Sequence, residues 1–180
     1  MARALVFLPA CLAGFGQWQG PYLFFAQLLA LLPGAPGSYL RVAYYSFTLD
    51  RVGPDCEIAL GSYFAHPAAS LGRRVGVGSY CVLGSVDIGD GSLLGSRVQV
   101  LSGTRQHTRD GSGFLTDEGR IFQRISIGAH CWVGAGAIVS ADVGEKTTIA
   151  PGSVVGAPVP QGSTVSGNPA RNFSQLMRTA

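Results

Sequence analysis

The chain has 180 residues, 47% of them hydrophobic and 13% charged, with a net charge of +3 from 13 basic and 10 acidic side chains. That length suits one domain with an appendage, and so apolar a composition excludes a disordered chain. The basic residues are scattered, as Arg73-Arg74, Arg105, Arg109 and Arg171, so no nucleic-acid footprint is expected, while a small anionic ligand stays compatible.

Residues 1–50 form an apolar segment expected to be helical. Ala4 to Phe15 is apolar, Gly16 to Gly20 interrupts it, and Tyr22 to Leu32 is apolar again up to Pro33. Each half falls well short of the roughly 20 apolar residues that a membrane-spanning helix needs. Two readings stay open for residues 1–32: a hairpin docked in a membrane interface, or a helical cap over the end of the region that follows. Interfacial helices commonly carry Lys or Arg, and only Arg3 is available. Yet Leu23, Phe24, Phe25, Leu28, Leu29, Leu31 and Leu32 wrap most of a helix, more apolar surface than a cap requires. Leu8-Pro9-Ala10-Cys11 loosely resembles a lipoprotein cleavage site, but the positive region before it is minimal and Pro9 is awkward there, so the segment is expected to be retained. Tyr39, Leu40, Val42, Ala43, Tyr44 and Phe47 have helical spacing and should seal the next region against water.

From Val52 to Val155 the chain returns about every six residues to an aliphatic residue often followed by Gly: Val77-Gly78, Leu83-Gly84, Ile88-Gly89, Leu94-Gly95, Ile127-Gly128, Val133-Gly134 and Val143-Gly144. A helix repeats at about 3.6 and a strand at 2, whereas six residues make one short strand plus one turn of a parallel β-helix. The residue four after each aliphatic lead is small or β-branched: Cys56, Ser62, Ala68, Val75, Cys81, Ser92, Val98, Cys131, Ala137, Thr147 and Ser153. A narrow coil leaves room inside for one long and one small side chain per hexad. A Gly-rich β-sandwich would need alternating polar and apolar strands with longer turns, which the sequence does not show. Cys56, Cys81 and Cys131 fill the small slot as compact hydrophobes, and no CxxC spacing occurs. Unpaired thiols fit a reducing, cytoplasmic compartment.

Between Val100 and Ile125 the hexads stop. The polar segment Gly103-Thr104-Arg105-Gln106-His107-Thr108-Arg109-Asp110-Gly111 opens an insertion over residues 103–124, and insertions of that length in a compact repeat are usually functional. His107 lies near the point where the chain leaves a rigid coil, which suits a general base; a plain surface histidine is the competing reading. Asp110 is close enough in sequence to orient the imidazole. Beyond the hexads, Pro158, Pro160 and Gly162 interrupt the pattern, Ser163 to Val165 reads as a last strand, and residues 172–180 form a short tail.

The hexads, the histidine-bearing insertion, the run Cys131-Trp132-Val133-Gly134-Ala135-Gly136-Ala137 and the ending Gly167-Asn168-Pro169-Ala170-Arg171 together resemble the hexapeptide-repeat acyltransferases, the group containing maltose, serine and polysaccharide O-acetyltransferases. The resemblance covers Val52 to Arg171. It implies a mainly β fold, a left-handed parallel β-helix over residues 51–171, generally assembled as a homotrimer with active sites between neighbouring coils. It further implies acetyl-coenzyme A as acyl donor, with His107 as the base and no metal expected. Trp132, Ala135, Ala150, Pro151 and Gly152 match positions facing pantetheine, and Arg171 matches a basic residue near the coenzyme phosphates. Relatives carry Thr-Lys after the paired valines where this chain has Gly156-Ala157, so Lys146 and Arg171 are the cations left to compensate. Tyr80 lies near a position that relatives present to their sugar. Arg105 and Arg109 flank the histidine and are further candidates for acceptor binding.

The resemblance thus points to transfer of an acetyl group to a hydroxyl of a saccharide, or of a lipid-linked saccharide, in surface polysaccharide assembly, at a cytoplasmic location that includes the membrane face if residues 1–32 dock there. Two alternatives stand beside it. One is a zinc hydratase like the β-helical carbonic anhydrases, because the chain has three histidines, His66, His107 and His130, although their spacing differs from that group's. The other is a catalytically idle β-helix scaffold.

Overall fold

A computed structural model describes residues 2–103, 107–116, 118, 119 and 121–173. Three helices, α1 (Ala2–Leu12), α2 (Gln19–Ala30) and α3 (Gly34–Thr48), precede a parallel β-helix of about six turns. Short strands stack into three parallel sheets. The first holds Arg51–Val52, Ser70–Leu71, Val86–Ile88 and Ile125–Ile127; the second runs from Glu57–Ile58 through Gly76–Val77, Leu93–Leu94, Trp132–Val133 and Thr148–Ile149 to Thr164–Ser166; the third runs from Tyr63–Phe64 through Val82–Leu83, Gln99–Val100 and Ile138–Val139 to Val154–Val155. Arg171–Asn172 closes the second sheet as an antiparallel edge against Thr164–Ser166.

The expected dual register is what fills the coil. Ile58, Val77, Leu94, Val133, Ile149 and Val165 form one buried aliphatic ladder, one per turn, and Phe64, Leu83, Val100, Val139 and Val155 form another. The small slot has a polar duty as well as a steric one. Ser62 Oγ donates to the Gly78 carbonyl (2.5 Å), Ser92 Oγ to that of Gly128 (2.8 Å), and the thiols of Cys81 and Cys131 to those of Gly95 (3.2 Å) and Gly144 (3.1 Å). Each bond gives a donor to a partly buried carbonyl of the next coil. Burial pushes the Cys81 and Cys131 thiols up from their ordinary pKa, which suits them to packing rather than to reaction. One expected register fails. Ala68 is exposed and Ala69 is the buried residue of that turn, because His66-Pro67 adds a residue at the corner and shifts the inward position by one.

The Gly after each aliphatic lead has a different cause from the Gly at the corners. A Cβ on Gly134 would stand 2.4 Å from the backbone nitrogen of Pro151, and one on Gly128 the same distance from that of Glu145, so coils approach each other too closely for any side chain there. The corners instead need left-handed backbone, supplied by Gly136 and Gly152 but also by Arg74, Tyr80, Arg97, His130 and Lys146. Each corner residue donates its N–H one coil down, as His130 does to the Asp90 carbonyl (2.8 Å) and Arg97 to that of Ser79 (2.8 Å), and these bonds hold the strained conformation.

The helices close the open end of the first coil, whose strands have no sheet partner on that side. Tyr22 Oη donates to the Phe64 carbonyl (3.1 Å) while Tyr45 Oη accepts the Phe64 N–H (3.1 Å). Arg41, only 1% exposed, donates to the carbonyls of Ile58 (2.9 Å), Leu29 (2.9 Å) and Leu32 (2.7 Å). Ser38 Oγ accepts the Ile58 N–H at 3.2 Å. Capping is therefore what the inner faces of α2 and α3 do, and it works by hydrogen bonding an edge strand that would otherwise be left unpaired.

Candidate active site

The hexads break at the corner between the third and first sheets. The insertion leaves after Ser102, and its two feet are tied together: the Gln123 N–H donates to the Ser102 carbonyl (2.9 Å), and the buried Ser102 hydroxyl accepts the Ser85 N–H (2.9 Å). Arg124, the last residue before the coil resumes, spans the first sheet. Its Nη1 meets Asp50 at 2.6 Å, and its Nη2 reaches both Ser70 (2.8 Å) and Asp87, residues of three successive coils. The two carboxylates raise its pKa, Asp87 first. A residue with no distinguishing mark in the sequence thus anchors the returning arm.

Out from these feet the insertion folds on itself. Thr108–Arg109 pairs antiparallel with Leu115–Thr116. Asp110 Oδ1 accepts the N–H groups of Ser112 (2.9 Å) and Phe114 (3.0 Å), and Arg109 Nη1 donates to the Gly113 carbonyl at 2.6 Å. Asp110 is therefore committed to the hairpin turn, not to the imidazole, and Arg109 braces the same turn. His107 is exposed and directly precedes the first hairpin strand, five residues beyond the tied foot at Ser102. Arg105 lies outside the described residues.

At the root of the insertion a groove of about 120 Å³ opens on the outer face of the third sheet, lined by His66, Val82, Gly84, Gln99, Leu101 and Ser102 among others. His66 packs its ring against Phe122 of the returning arm, with centroids 4.9 Å apart, and burial lowers its pKa, so the neutral imidazole is favoured. Sequence reasoning singled out neither Gln99 nor this groove, since Gln99 reads as one more outward strand residue. A larger cavity of about 580 Å³ lies between α1, α3 and the first coil, lined by Arg3, Tyr39, Asp55 and Cys56 among others and by no described residue of the insertion.

The residues expected to meet the coenzyme divide by corner. Ala135 and Ala150-Pro151-Gly152 stack on successive coils where the second sheet turns into the third, joined by the Gly152 N–H to Ala135 carbonyl bond (2.9 Å). Trp132 projects from the second sheet of the same coil, 48% exposed, paired with Leu93 and Thr148. A Cβ built on Gly136 or Gly152 would meet nothing within 4 Å, so this edge is open. Arg171 lies on the last strand of the second sheet and is exposed. Lys146 stands at the other end of that sheet, where the first turns into the second, 3.6 Å from Glu145. Within one chain Lys146 is thus separated by a strand from the Ala150–Gly152 corner. Tyr80 occupies the corner column of Ala135 and Gly152 in an earlier coil, left-handed (φ 60°) and 57% exposed, its ring filling the space a Cβ on Gly61 would need. The insertion leaves from a different corner from the one that Tyr80 occupies.

The three histidines are equally dispersed: His66 at the third corner of the first coil, His130 at a left-handed corner after the first sheet, and His107 on the insertion. Among the described residues no three His, Cys, Asp or Glu side chains of the chain stand together as a metal-ligand group.

This architecture is shared by solved acetyltransferases. A hexapeptide-repeat-containing acetyltransferase of Vibrio cholerae O1 biovar eltor, complexed with acetyl coenzyme A, superposes with a TM-score of 0.73 at 19% identity over 86% of this chain and 85% of that one. A galactoside acetyltransferase in complex with coenzyme A gives 0.67 at 17% identity (87% and 82%), and a maltose O-acetyltransferase of Clostridium difficile 630 gives 0.65 at 18% (91% and 87%). The chain therefore has the parallel β-helix fold expected from its hexads, in the class of architecture that the family resemblance implies. Residues 124–157 match the hexapeptide repeat of succinyl-transferase, and nodulation protein L of Rhizobium leguminosarum bv. viciae is 34% identical across 68% of this chain and 68% of its own length. The chain belongs to the hexapeptide-repeat acyltransferases and is an enzyme of that class, drawing its acyl group from acyl-coenzyme A.

Proposed function

We propose that this enzyme acetylates a hydroxyl of a saccharide, with His107 as general base and acetyl-coenzyme A as donor, at a site completed between neighbouring copies of a homotrimer. The observation that carries the reading is the placement of the long interruption of the coil: it starts from a groove and holds a histidine near two tied feet. Galactoside, maltose and polysialic acid acetyltransferases among the structural neighbours support a saccharide acceptor. A neighbour that is an N-acyltransferase makes a sugar amine the competing acceptor.

In the proposed reaction the His107 imidazole takes the proton of the acceptor hydroxyl as that oxygen attacks the thioester carbonyl. The tetrahedral intermediate collapses with loss of the coenzyme thiolate, and the imidazolium returns its proton to sulfur. A base so placed contributes about a hundred- to ten-thousandfold in rate. The acceptor would enter at the groove beside His66 and Gln99. The pantetheine arm would follow the open corner of Ala135 and Ala150–Gly152 past Trp132, with Arg171 toward the phosphates, where a guanidinium suits the fork of a phosphate. Lys146 is the weaker candidate because it stands a strand away from that corner, beside the carboxylate of Glu145. Tyr80, Arg105 and Arg109 are kept as acceptor contacts only across the trimer or through the insertion tip.

The test is release of free coenzyme A thiol from acetyl-coenzyme A over a panel of neutral sugars, amino sugars and their nucleotide-linked forms. Turnover confined to hydroxyl acceptors supports the proposal. Turnover with amino sugars alone replaces O- by N-acetylation, and none on any sugar discards the saccharide.

A further inference from the structure

The helical cap uses only its inner face. Val6, Ala10, Ala13, Tyr22, Ala26 and Ala30 are buried, and the polar contacts that close the coil end come from Tyr22, Ser38, Arg41 and Tyr45. What remains outside is apolar along α1, α2 and the residues flanking them, where Leu8 (65% exposed), Trp18 (60%), Phe24 (61%) and Leu31 (72%) stand in solvent with Leu5, Leu12 and Leu28. Exposed apolar surface of this extent marks an interaction site, since soluble monomers rarely leave such patches bare.

We propose that this face docks the enzyme on the surface of a lipid bilayer. Charge favours lipid over a protein partner. No acidic residue occurs before Asp50, Arg41 is buried, and Arg3 is the sole exposed charge among the described residues of α1 and α2. A face with no carboxylate meets anionic headgroups without repulsion, and its exposed polar side chains Gln17, Gln19 and Gln27 are uncharged. Trp18, exposed between α1 and α2, is of the aromatic type that settles at the headgroup level. The mode is interfacial, because no described helix is long and apolar enough to cross. Docking is independent of the acyl-transfer reading, although it would deliver the enzyme to acceptors that are themselves carried on lipid.

The experiment is flotation of the full-length protein with phosphatidylcholine vesicles, with and without about a third phosphatidylglycerol, with melting temperature as a fold control. The wild type should float with both compositions and resist salt, since apolar burial and not charge holds it. Combining Leu5→Gln, Leu8→Gln, Phe24→Gln and Leu28→Gln should lower partitioning at least about a hundredfold at an unchanged melting temperature. Arg3→Glu, which leaves the apolar area intact, should weaken binding to the anionic vesicles more than to the neutral ones. Failure of the wild type to float overturns the proposal, as does association of trimers through this face that the four substitutions abolish while vesicle binding is absent. Because the readout is partition and not turnover, neither result bears on the acyl-transfer reading.

Discussion

Single side chains in this fold are governed by how near the next coil lies. Gly134 and Gly136 are two residues apart and look alike in sequence, yet only Gly136 has positive φ (71°) and only Gly134 faces backbone at 2.4 Å. Gly136→Ala should therefore cost about 1–2 kcal/mol, the ordinary strain of a left-handed alanine, whereas Gly134→Ala should cost more, because two coils must separate. Denaturant midpoints of the two variants decide this, and equal losses would refute the distinction. His66 offers a pH test. Its folded pKa lies below the ordinary value of 6.5, so its neutral form is the one that folding favours. That contribution is complete above the unfolded pKa and is lost as pH falls through the folded one. Stability measured from pH 7 down to 5 should decline less steeply in His66→Gln than in the wild type.

At the scale of elements, legibility followed periodicity. The aliphatic ladders and small slots could be read directly because six-residue spacing constrains every turn, and the one slip, Ala68 for Ala69, came where His66-Pro67 lengthens a corner. The insertion was visible as an interruption, but its hairpin was not, since strands of two residues such as Thr108–Arg109 carry no pattern. The same limit hid the employment of Arg109 and Asp110 in the turn. Arg41 was equally silent: an arginine within an apolar helix gives no hint that three carbonyls will surround it. Arg124 is the most consequential omission, because its partners Asp50, Ser70 and Asp87 are remote in sequence. As the anchor of the insertion it is a positioning residue. Arg124→Ala should leave coenzyme binding intact and reduce kcat by about tenfold or more, given how steeply turnover depends on placement of the base. Arg124→Lys, which keeps a cation near Asp50 and Asp87, should recover part of the loss. Equal loss of coenzyme affinity and kcat would instead assign Arg124 a general structural role.

Across the whole molecule, the β-helix supplies a rigid prism with two differentiated regions: a helical end whose outer face is apolar, and a flank bearing the insertion and the open corner beside Trp132. The residues assigned to donor and acceptor lie at different corners of one prism, Ala150–Gly152 at one and the root of the His107 arm at another. A site between neighbouring copies reconciles them, which is why the proposal includes a trimer. The most direct measurement is calorimetric titration of the metal-free protein with acetyl-coenzyme A, paired with a zinc assay and repeated on His107→Ala. The account predicts saturable binding without metal in both proteins, with turnover in the variant lower by at least about a hundredfold. Absence of coenzyme binding together with stoichiometric zinc would contradict it and move the chemistry to the histidines as metal ligands.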